Sequence, residues 1–300
     1  MSYKDSKSTP FVLGLLAVFL WSTSSVVAKL AETSVGYIAL TTSMFLIGFI
    51  VFLGITYSNI PIKEKLMLLS EKNQLKPYLL YSAATGLFMG VYYYTYYFSI
   101  QSPYSVQANL INYLWPTLTP FLAAAVFKSS KPIDKNSVIA LLISFIGCAI
   151  VVTGFSLSSF TITIYHIAAF IAALTASLYM NFAMLAEDIF DNLPLTYTVA
   201  LGAALPFVIM SVFTQPLTIE PTLRTGGFIL YVSIFTFVMA NLAWTRSLIE
   251  GNTARISSLA YLIPIFSTVL LAIIEPPDTT LSAIIVGGGL ILLGQILTTE

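Results

Sequence analysis

Two prolines stand at matching positions in two apolar stretches of the chain. They end the segments 112–116 (Asn-Tyr-Leu-Trp-Pro) and 260–264 (Ala-Tyr-Leu-Ile-Pro), 148 residues apart. Because proline has no amide hydrogen, neither Pro116 nor Pro264 can donate to the carbonyl four residues before it in a helix. In apolar surroundings that carbonyl needs a donor from another helix, a water or a solute. We interpret Pro116 and Pro264 as hinge or gate residues beside a binding site, with a packing kink as the alternative.

Aromatic side chains with a polar tip precede the first proline, about halfway along its apolar stretch. Such residues normally collect at the membrane interfaces, so Tyr113 and Trp115 are expected to face protein instead of lipid head groups. A flat aromatic wall suits an apolar or aromatic solute, or a cation. Asn109, Asn112 and Pro116 are spaced at i, i+3 and i+7, which places both amides on one helix face with the proline. A buried structural pair of aromatic residues is the alternative.

Other polar and aromatic residues inside apolar stretches are further candidates for solute binding. Asn181 and Asn241 can contact a solute or join neighbouring helices. Tyr261 occupies in the second segment the position that Tyr113 has in the first. A run of five tyrosines that begins at Tyr92 covers every face of its helix, and an aromatic belt at the membrane interface explains most of it. Tyr92 itself is kept as a candidate at the entrance of a cavity.

The elements that carry these residues must be membrane-spanning helices. Hydrophobic residues make up 57% of the chain and charged residues only 9%, a composition that predicts an all-α integral membrane protein. A spanning helix needs about 20 apolar residues. We predict ten spans, at 11–30, 35–57, 78–99, 104–127, 136–154, 162–186, 195–214, 225–249, 254–274 and 281–298.

The short connections leave no room for a separate soluble domain. The expected partners are the lipid bilayer and a small-molecule solute. We expect no nucleic acid partner, no cofactor and no metal.

The charge distribution predicts the orientation of these spans. Eleven lysines and arginines fall at the N-terminus and after even-numbered spans, against Lys29 and Arg224 on the opposite side. By the positive-inside rule, both termini face the cytoplasm and the protein lies in the plasma (inner) membrane.

A repeat divides the ten spans into two halves, residues 1–154 and 155–300. At one constant offset, Tyr96 matches Trp244 and Ser99 matches Ser247, in step with the matching prolines. Since each half holds five spans, the second copy enters the membrane from the opposite side. Inverted repeats of this kind are typical of carriers that work by alternating access around a site at the membrane midplane.

The acidic residues indicate how transport is driven. Glu187, Asp188, Glu250 and Glu275 all lie at span ends or in connections, and no carboxylate falls in the middle of a span. Proton- and sodium-coupled carriers commonly place a carboxylate at depth. The sequence therefore favours facilitated diffusion or exchange, and it disfavours an intramembrane enzyme, which needs a buried catalytic cluster. The lack of a continuous polar stripe likewise disfavours a channel.

The chain resembles the drug/metabolite transporter superfamily, in the ten-helix group with two EamA-type repeats. Segment 112–116 resembles the Asn-Tyr-Leu-Trp-Pro segment of the YddG-type aromatic amino acid exporters. Segment 20–23 (Leu-Trp-Ser-Thr) resembles their first span, and Ala243-Trp244 with Gly251-Asn252 resembles their eighth.

This resemblance implies a central cavity lined by Tyr113 and Trp115, and it adds Trp21, Phe88 and Trp244 as candidates. The chain departs from the exporters in span six, at Leu174-Thr175, and in span three, where Phe88-Met89 replaces a Tyr-Glu pair. The implied activity is export or facilitated diffusion of aromatic or large neutral amino acids. Another solute class, such as a nucleobase or a toxic cation, is the alternative.

Overall fold

The protein is built from helices. The computed structural model describes residues 9–59, 67, 70, 73–125, 135–156, 162–190, 192–213, 218–250, 256, 258–277 and 280–297. The helices are α1 (Thr9–Ala31), α2 (Tyr37–Asn59), α3 (Leu75–Ile100), α4 (Ser105–Asn112), α5 (Trp115–Ala125), α6 (Lys135–Thr153), α7 (Ile164–Ile189), α8 (Leu193–Val212), α9 (Leu223–Leu230), α10 (Ala240–Glu250), α11 (Leu262–Ile274) and α12 (Leu281–Leu297). A π-helical stretch, Tyr231–Met239, joins α9 to α10, and a 3-10 turn, Ser258–Tyr261, precedes α11.

Several of these helices can cross a membrane. Five are long and apolar enough to do so, namely Thr9–Ala31, Tyr37–Ser58, Ile164–Ile189, Leu193–Met210 and Leu223–Ser247. Shorter apolar helices are Val138–Thr153, Leu262–Ile274 and Leu281–Gly294. The prediction of a helical membrane protein is confirmed. Every one of the ten predicted spans overlaps a helix, while their number and their inverted arrangement stay predictions.

Contacts between connecting segments show which helix ends lie together. An isolated β-bridge pairs Val35, between α1 and α2, with Ile219, just before α9. The Gln101 amide at the end of α3 donates to the carbonyls of Ala28 and Val35, over 3.1 and 3.0 Å. These connections therefore share one end of the bundle, which we call the bridge end.

The opposite end of the bundle has its own small core. Tyr78 in the first turn of α3 is fully buried, and its hydroxyl lies 2.9 Å from that of Thr196 in α8. Ala186 near the end of α7 and Leu195 near the start of α8 pack against the same tyrosine. The helices α3, α7 and α8 thus run through the bundle from one end to the other.

Glycines allow two pairs of helices to approach closely. A Cβ built on Gly147 in α6 would lie 2.5 Å from the carbonyl oxygen of Gly287 in α12, and the reverse contact is equally short. A Cβ on Gly86 in α3 would meet the Ala200 carbonyl oxygen of α8 at 1.8 Å. Small residues at such contacts are how membrane helices pack, because lipid gives no hydrophobic drive for their association.

Tyrosines of α3 form part of the core. Tyr93, Tyr96 and Tyr97 are buried, with 8%, 5% and 0% of their surface exposed. The interpretation of this run as an aromatic belt is wrong for these three residues, because their rings point into the bundle. Phe237 in the π-helical stretch packs edge-on against Tyr93, with ring centroids 5.6 Å apart. The aromatic core thus joins α3 to the second half of the chain.

Candidate functional site

The helix that carries the first proline is broken just before it. α4 ends at Asn112 and α5 begins at Trp115. The Tyr113 amide is shared between the carbonyls of Asn109 and Leu110, at 3.3 and 3.1 Å, and the next amide donates only three residues back. The backbone therefore tightens from an α-helical to a 3-10 pattern at the Tyr-Leu pair.

The second proline segment shows the same local structure. The 3-10 turn Ser258–Tyr261 passes into α11 at Leu262, two residues before Pro264. Both Tyr-Leu-x-Pro segments thus place a tightened turn immediately upstream of the proline. The side chain of Tyr261 lies outside the described residues, as do Gly251 and Asn252.

Side chains of α7 and of α5 itself stabilise the start of α5. The Ser177 hydroxyl donates to the Trp115 carbonyl over 2.8 Å, and the Thr119 hydroxyl donates to the same oxygen over 2.7 Å. The Asn181 amide donates to the carbonyls of Thr119 and Ser177, over 3.2 and 2.8 Å. Asn181 therefore joins α7 to α5, the interhelical role that polar side chains often have in membranes.

A buried polar network crosses from α3 through α4 to α11. The Tyr96 hydroxyl donates to Asn109 Oδ1 over 3.0 Å. The Asn109 amide nitrogen in turn donates to the hydroxyls of Ser267 and Thr268, over 2.9 and 3.1 Å. Ser267 also lies 3.4 Å from the hydroxyl of Tyr113. Asn109 thus connects the two halves of the protein at the broken helix.

The second amide of this helix is not held in the same way. Asn112 is 2% exposed, and within the described residues its Oδ1 has no hydrogen-bond partner. The Tyr92 hydroxyl lies close enough to the Asn112 side chain to interact with it. A buried acceptor without a bond costs stability, so Asn112 Oδ1 is a position where a ligand donor would be favourable.

The ring of Tyr92 is the centre of a tyrosine cluster. It lies 4.6 Å from the ring of Tyr93, stacks on Tyr96 at 5.7 Å and contacts Tyr179 of α7 at 5.6 Å. Tyr92 is only half-buried, as is Trp115. Sequence reasoning missed Tyr179 because it is an isolated tyrosine in α7 with no motif around it.

Two other aromatic pairs include predicted site residues. Phe88, one turn before Tyr92, stacks on Phe182 of α7 with centroids 5.6 Å apart and planes 6° from parallel. Trp21 of α1 and Trp244 of α10 contact each other at 5.5 Å. The two tryptophans, distant in sequence, are therefore brought together, while Phe88 fills the contact between α3 and α7.

The amide of Asn241 is engaged between helices. Its Oδ1 accepts from the Tyr197 hydroxyl of α8 over 2.9 Å, and its nitrogen donates to the Phe237 carbonyl over 2.6 Å. The ring of Phe237 also packs against Tyr197. Asn241 thus closes the end of the π-helical stretch, where the normal helical hydrogen bonds are shifted.

Hydroxyls, amides and aromatic rings make up the described part of the site. Within the described residues there is no group of three or more His, Cys, Asp or Glu that could hold a metal ion. The arrangement offers flat apolar surface together with a few neutral polar groups, which is how pockets for small organic solutes are usually lined.

In this protein, apolar helices surround a buried aromatic and polar centre. This fold is that of a helical integral membrane protein. The chain belongs to the EamA-like transporter family, whose model matches residues 9–153 and 163–299. The predicted resemblance to the drug/metabolite transporter superfamily is confirmed at this level. The narrower resemblance to aromatic amino acid exporters stays a prediction.

A curated protein and a solved structure are among the proteins similar to this chain. An uncharacterized transporter of Archaeoglobus fulgidus is 33% identical over 115 residues, which cover 37% of this chain and 38% of that relative. The match thus spans less than half the length of the relative. A crystal structure of another protein has a TM-score of 0.59 at 19% identity, over 98% of this chain and 97% of that one. That likeness shows a shared fold.

Proposed function

We propose that this protein is a carrier that exports aromatic or large neutral amino acids, or lets them diffuse, by alternating access. The observation that supports the proposal most is the set of aromatic residues around the broken helix. Tyr92 and Trp115 are half-buried and offer ring surface there, Tyr113 is buried beside them, and the buried acceptor of Asn112 lies beside Tyr92. An aromatic side chain would stack on the rings, and an N–H donor of the solute would bond to Asn112.

In this proposal the remaining candidates have supporting roles. Phe88, Trp21 and Trp244 form the walls around the rings. Asn181 and Asn241 hold the helices that border the cavity through the hydrogen bonds described above. Pro116 and Pro264 follow the two tightened turns and would be the points at which the broken helices bend. Tyr261 has the position of Tyr113 in the second half.

The proposed mechanism uses ten spans in two inverted halves, residues 1–154 and 155–300. Two features support it: the family model matches within both halves, and each half carries a Tyr-Leu-x-Pro break. Two halves with the same plan can exchange conformations, so that the central site faces the two sides of the membrane in turn. Both termini would face the cytoplasm of a cell whose plasma (inner) membrane holds the protein.

A second solute class is supported by the aromatic rings themselves. The negative face of a tyrosine or tryptophan ring attracts organic cations. Stacking would equally suit a flat nucleobase. A permease for a toxic cation or a nucleobase is therefore the alternative function.

Counterflow into proteoliposomes tests the function directly. Vesicles loaded with unlabelled phenylalanine receive external labelled phenylalanine, tryptophan or leucine, with protein-free vesicles as the control. The proposal predicts saturable uptake that internal amino acid accelerates. Uptake driven only by internal adenine or tetraphenylphosphonium would favour the alternative solutes. An unsaturable ionic current would indicate a channel, and a new product an enzyme.

A further inference from the structure

A cluster of charged side chains lies at the bridge end, away from the aromatic site. The Lys29 ammonium lies 3.0 Å from Glu275 Oε2 and 2.6 Å from Glu32 Oε2. It also donates to the Ser102 carbonyl over 2.8 Å, and the Ser105 hydroxyl donates to the same oxygen of Glu275 over 2.6 Å. The Lys29 side chain is 11% exposed and that of Glu275 24%. The pair is therefore largely shielded from solvent.

This cluster ties the two halves of the chain together. Lys29 lies in the last turn of α1, and Ser102 and Ser105 lie where α3 passes into α4. Glu275 directly follows α11, in the second half. Glu32 differs from Glu275 in one respect: it is three residues from Lys29 on the same segment, so it adds no link between the halves.

Two local sequence matches between the halves replace the two residues of this ion pair. The sequence around Lys29, 28–32 (Ala-Lys-Leu-Ala-Glu), recurs in α7 as 183–187 (Ala-Met-Leu-Ala-Glu), with Met184 in place of the lysine. At the offset that aligns the two proline segments, the residue that matches Glu275 is Phe127. At these two local matches, whose offsets are 155 and 148 residues, apolar residues stand in place of both charges.

We propose that Lys29 and Glu275 form a latch that holds the bridge end closed in the resting carrier. The inference rests on the proposed alternating access, in which two matching halves would otherwise give two conformations of similar energy. An ion pair between the halves at this end stabilises the conformation in which the end is closed. Opening must separate the two partly buried charges, and an unpaired buried charge is costly.

Thiol labelling measures the opening of this end without any solute. Ser25 is fully buried one turn below Lys29 in α1, so Ser25→Cys in a Cys148→Ala background reports access from the bridge end. A membrane-impermeant charged reagent is applied from each side of the membrane in turn. We expect Lys29→Met, which copies the repeat, and Glu275→Gln to label about tenfold faster from the bridge-end side.

Two matched variants control for general loosening. Glu32→Gln removes the partner on the same segment and keeps the link between the halves, so its labelling should stay within about twofold of the parent. Arg246→Met breaks an exposed pair with Glu250, 2.7 Å apart, and should also leave the rate unchanged. Size-exclusion profiles and melting temperatures establish that each variant is folded.

Unchanged labelling in folded Lys29→Met and Glu275→Gln would overturn the latch, as would equal acceleration by Glu32→Gln. Should either main variant fail to fold, Ser105→Ala removes one hydrogen bond from Glu275 and must still accelerate labelling. The labelling assay contains no solute. Its result therefore does not depend on whether amino acids are transported in the counterflow assay. If the two main variants label faster but the protein transports no amino acid, the latch is supported and other solutes must be tested.

Discussion

The Tyr96 hydroxyl donates to Asn109 Oδ1 over 3.0 Å, and this contact joins the tyrosine-rich α3 to the broken helix. The other side of the same amide reaches Ser267 and Thr268 in the second half. A single buried side chain therefore connects three helices that border the proposed cavity. Such a connection fixes how the two halves meet at the centre of the protein.

Replacing Asn109 should destabilise the protein more than it alters the choice of solute. Asn109→Ala leaves the buried hydroxyls of Tyr96 and Ser267 without their amide partner, a loss of about 1–3 kcal/mol in stability. The measurement is the melting temperature of purified protein in detergent. Asn136→Ala, at an exposed position at the start of α6, is the matched control and should melt like the parent. Equal melting of the two variants would show that the network contributes nothing.

A methyl group on Gly86 should disrupt the packing of α3 on α8. Its Cβ would lie 1.8 Å from the Ala200 carbonyl oxygen, a backbone atom that cannot rotate away. We expect Gly86→Ala to lower the melting temperature strongly or to prevent folding, since overpacking costs about 1–3 kcal/mol or more. Gly54→Ala has nothing within 4 Å of its Cβ and should be neutral or slightly stabilising. A normal melting curve for Gly86→Ala would mean that the two helices are farther apart.

Transport should persist when the proton and sodium gradients are collapsed. Every carboxylate among the described residues lies in the last turn of a helix or outside the helices, as Glu187 and Glu275 illustrate. No such group is then placed at depth to carry a coupled cation. Counterflow is measured with and without an uncoupler and with sodium replaced by choline. Loss of uphill accumulation with the uncoupler would contradict this expectation.

Most of the helices could be predicted from the sequence. Which face of each helix is buried could not. Long apolar stretches and Pro116 were enough to predict helices and a break. The run of tyrosines in α3 was open to misinterpretation, because consecutive residues cover all faces and only packing decides which are buried. Asn109 and Asn112 share a helix face by spacing, yet Asn109 bonds to α3 and α11 through both atoms of its amide, while Asn112 Oδ1 has no hydrogen-bond partner among the described residues.

Both termini should be cytoplasmic, with the segment from Glu220 to Arg224 on the outer side. The Glu220 amide donates to the Ser34 carbonyl over 2.8 Å, so this segment lies at the same end as the connection after α1. The excess of lysine and arginine at the N-terminus and in the other connections predicts that this end lies outside. Epitope tags at each terminus and at the 220–224 segment are probed in intact and permeabilised cells. Termini on opposite sides would contradict the arrangement of five plus five spans.

The most direct test of the proposed site is the affinity of a Trp115 variant for the solute identified by counterflow. Trp115→Ala should bind it about 1–3 kcal/mol more weakly, the cost of losing an aromatic anchor, and should melt like the parent. Trp115→Phe keeps a ring without the indole N–H and should retain most of the affinity. Tyr57→Ala, which removes an aromatic ring that is 81% exposed, is the matched control and should bind normally. If folded Trp115→Ala binds with the affinity of the parent, the aromatic residues at the broken helix serve packing alone and the site lies elsewhere.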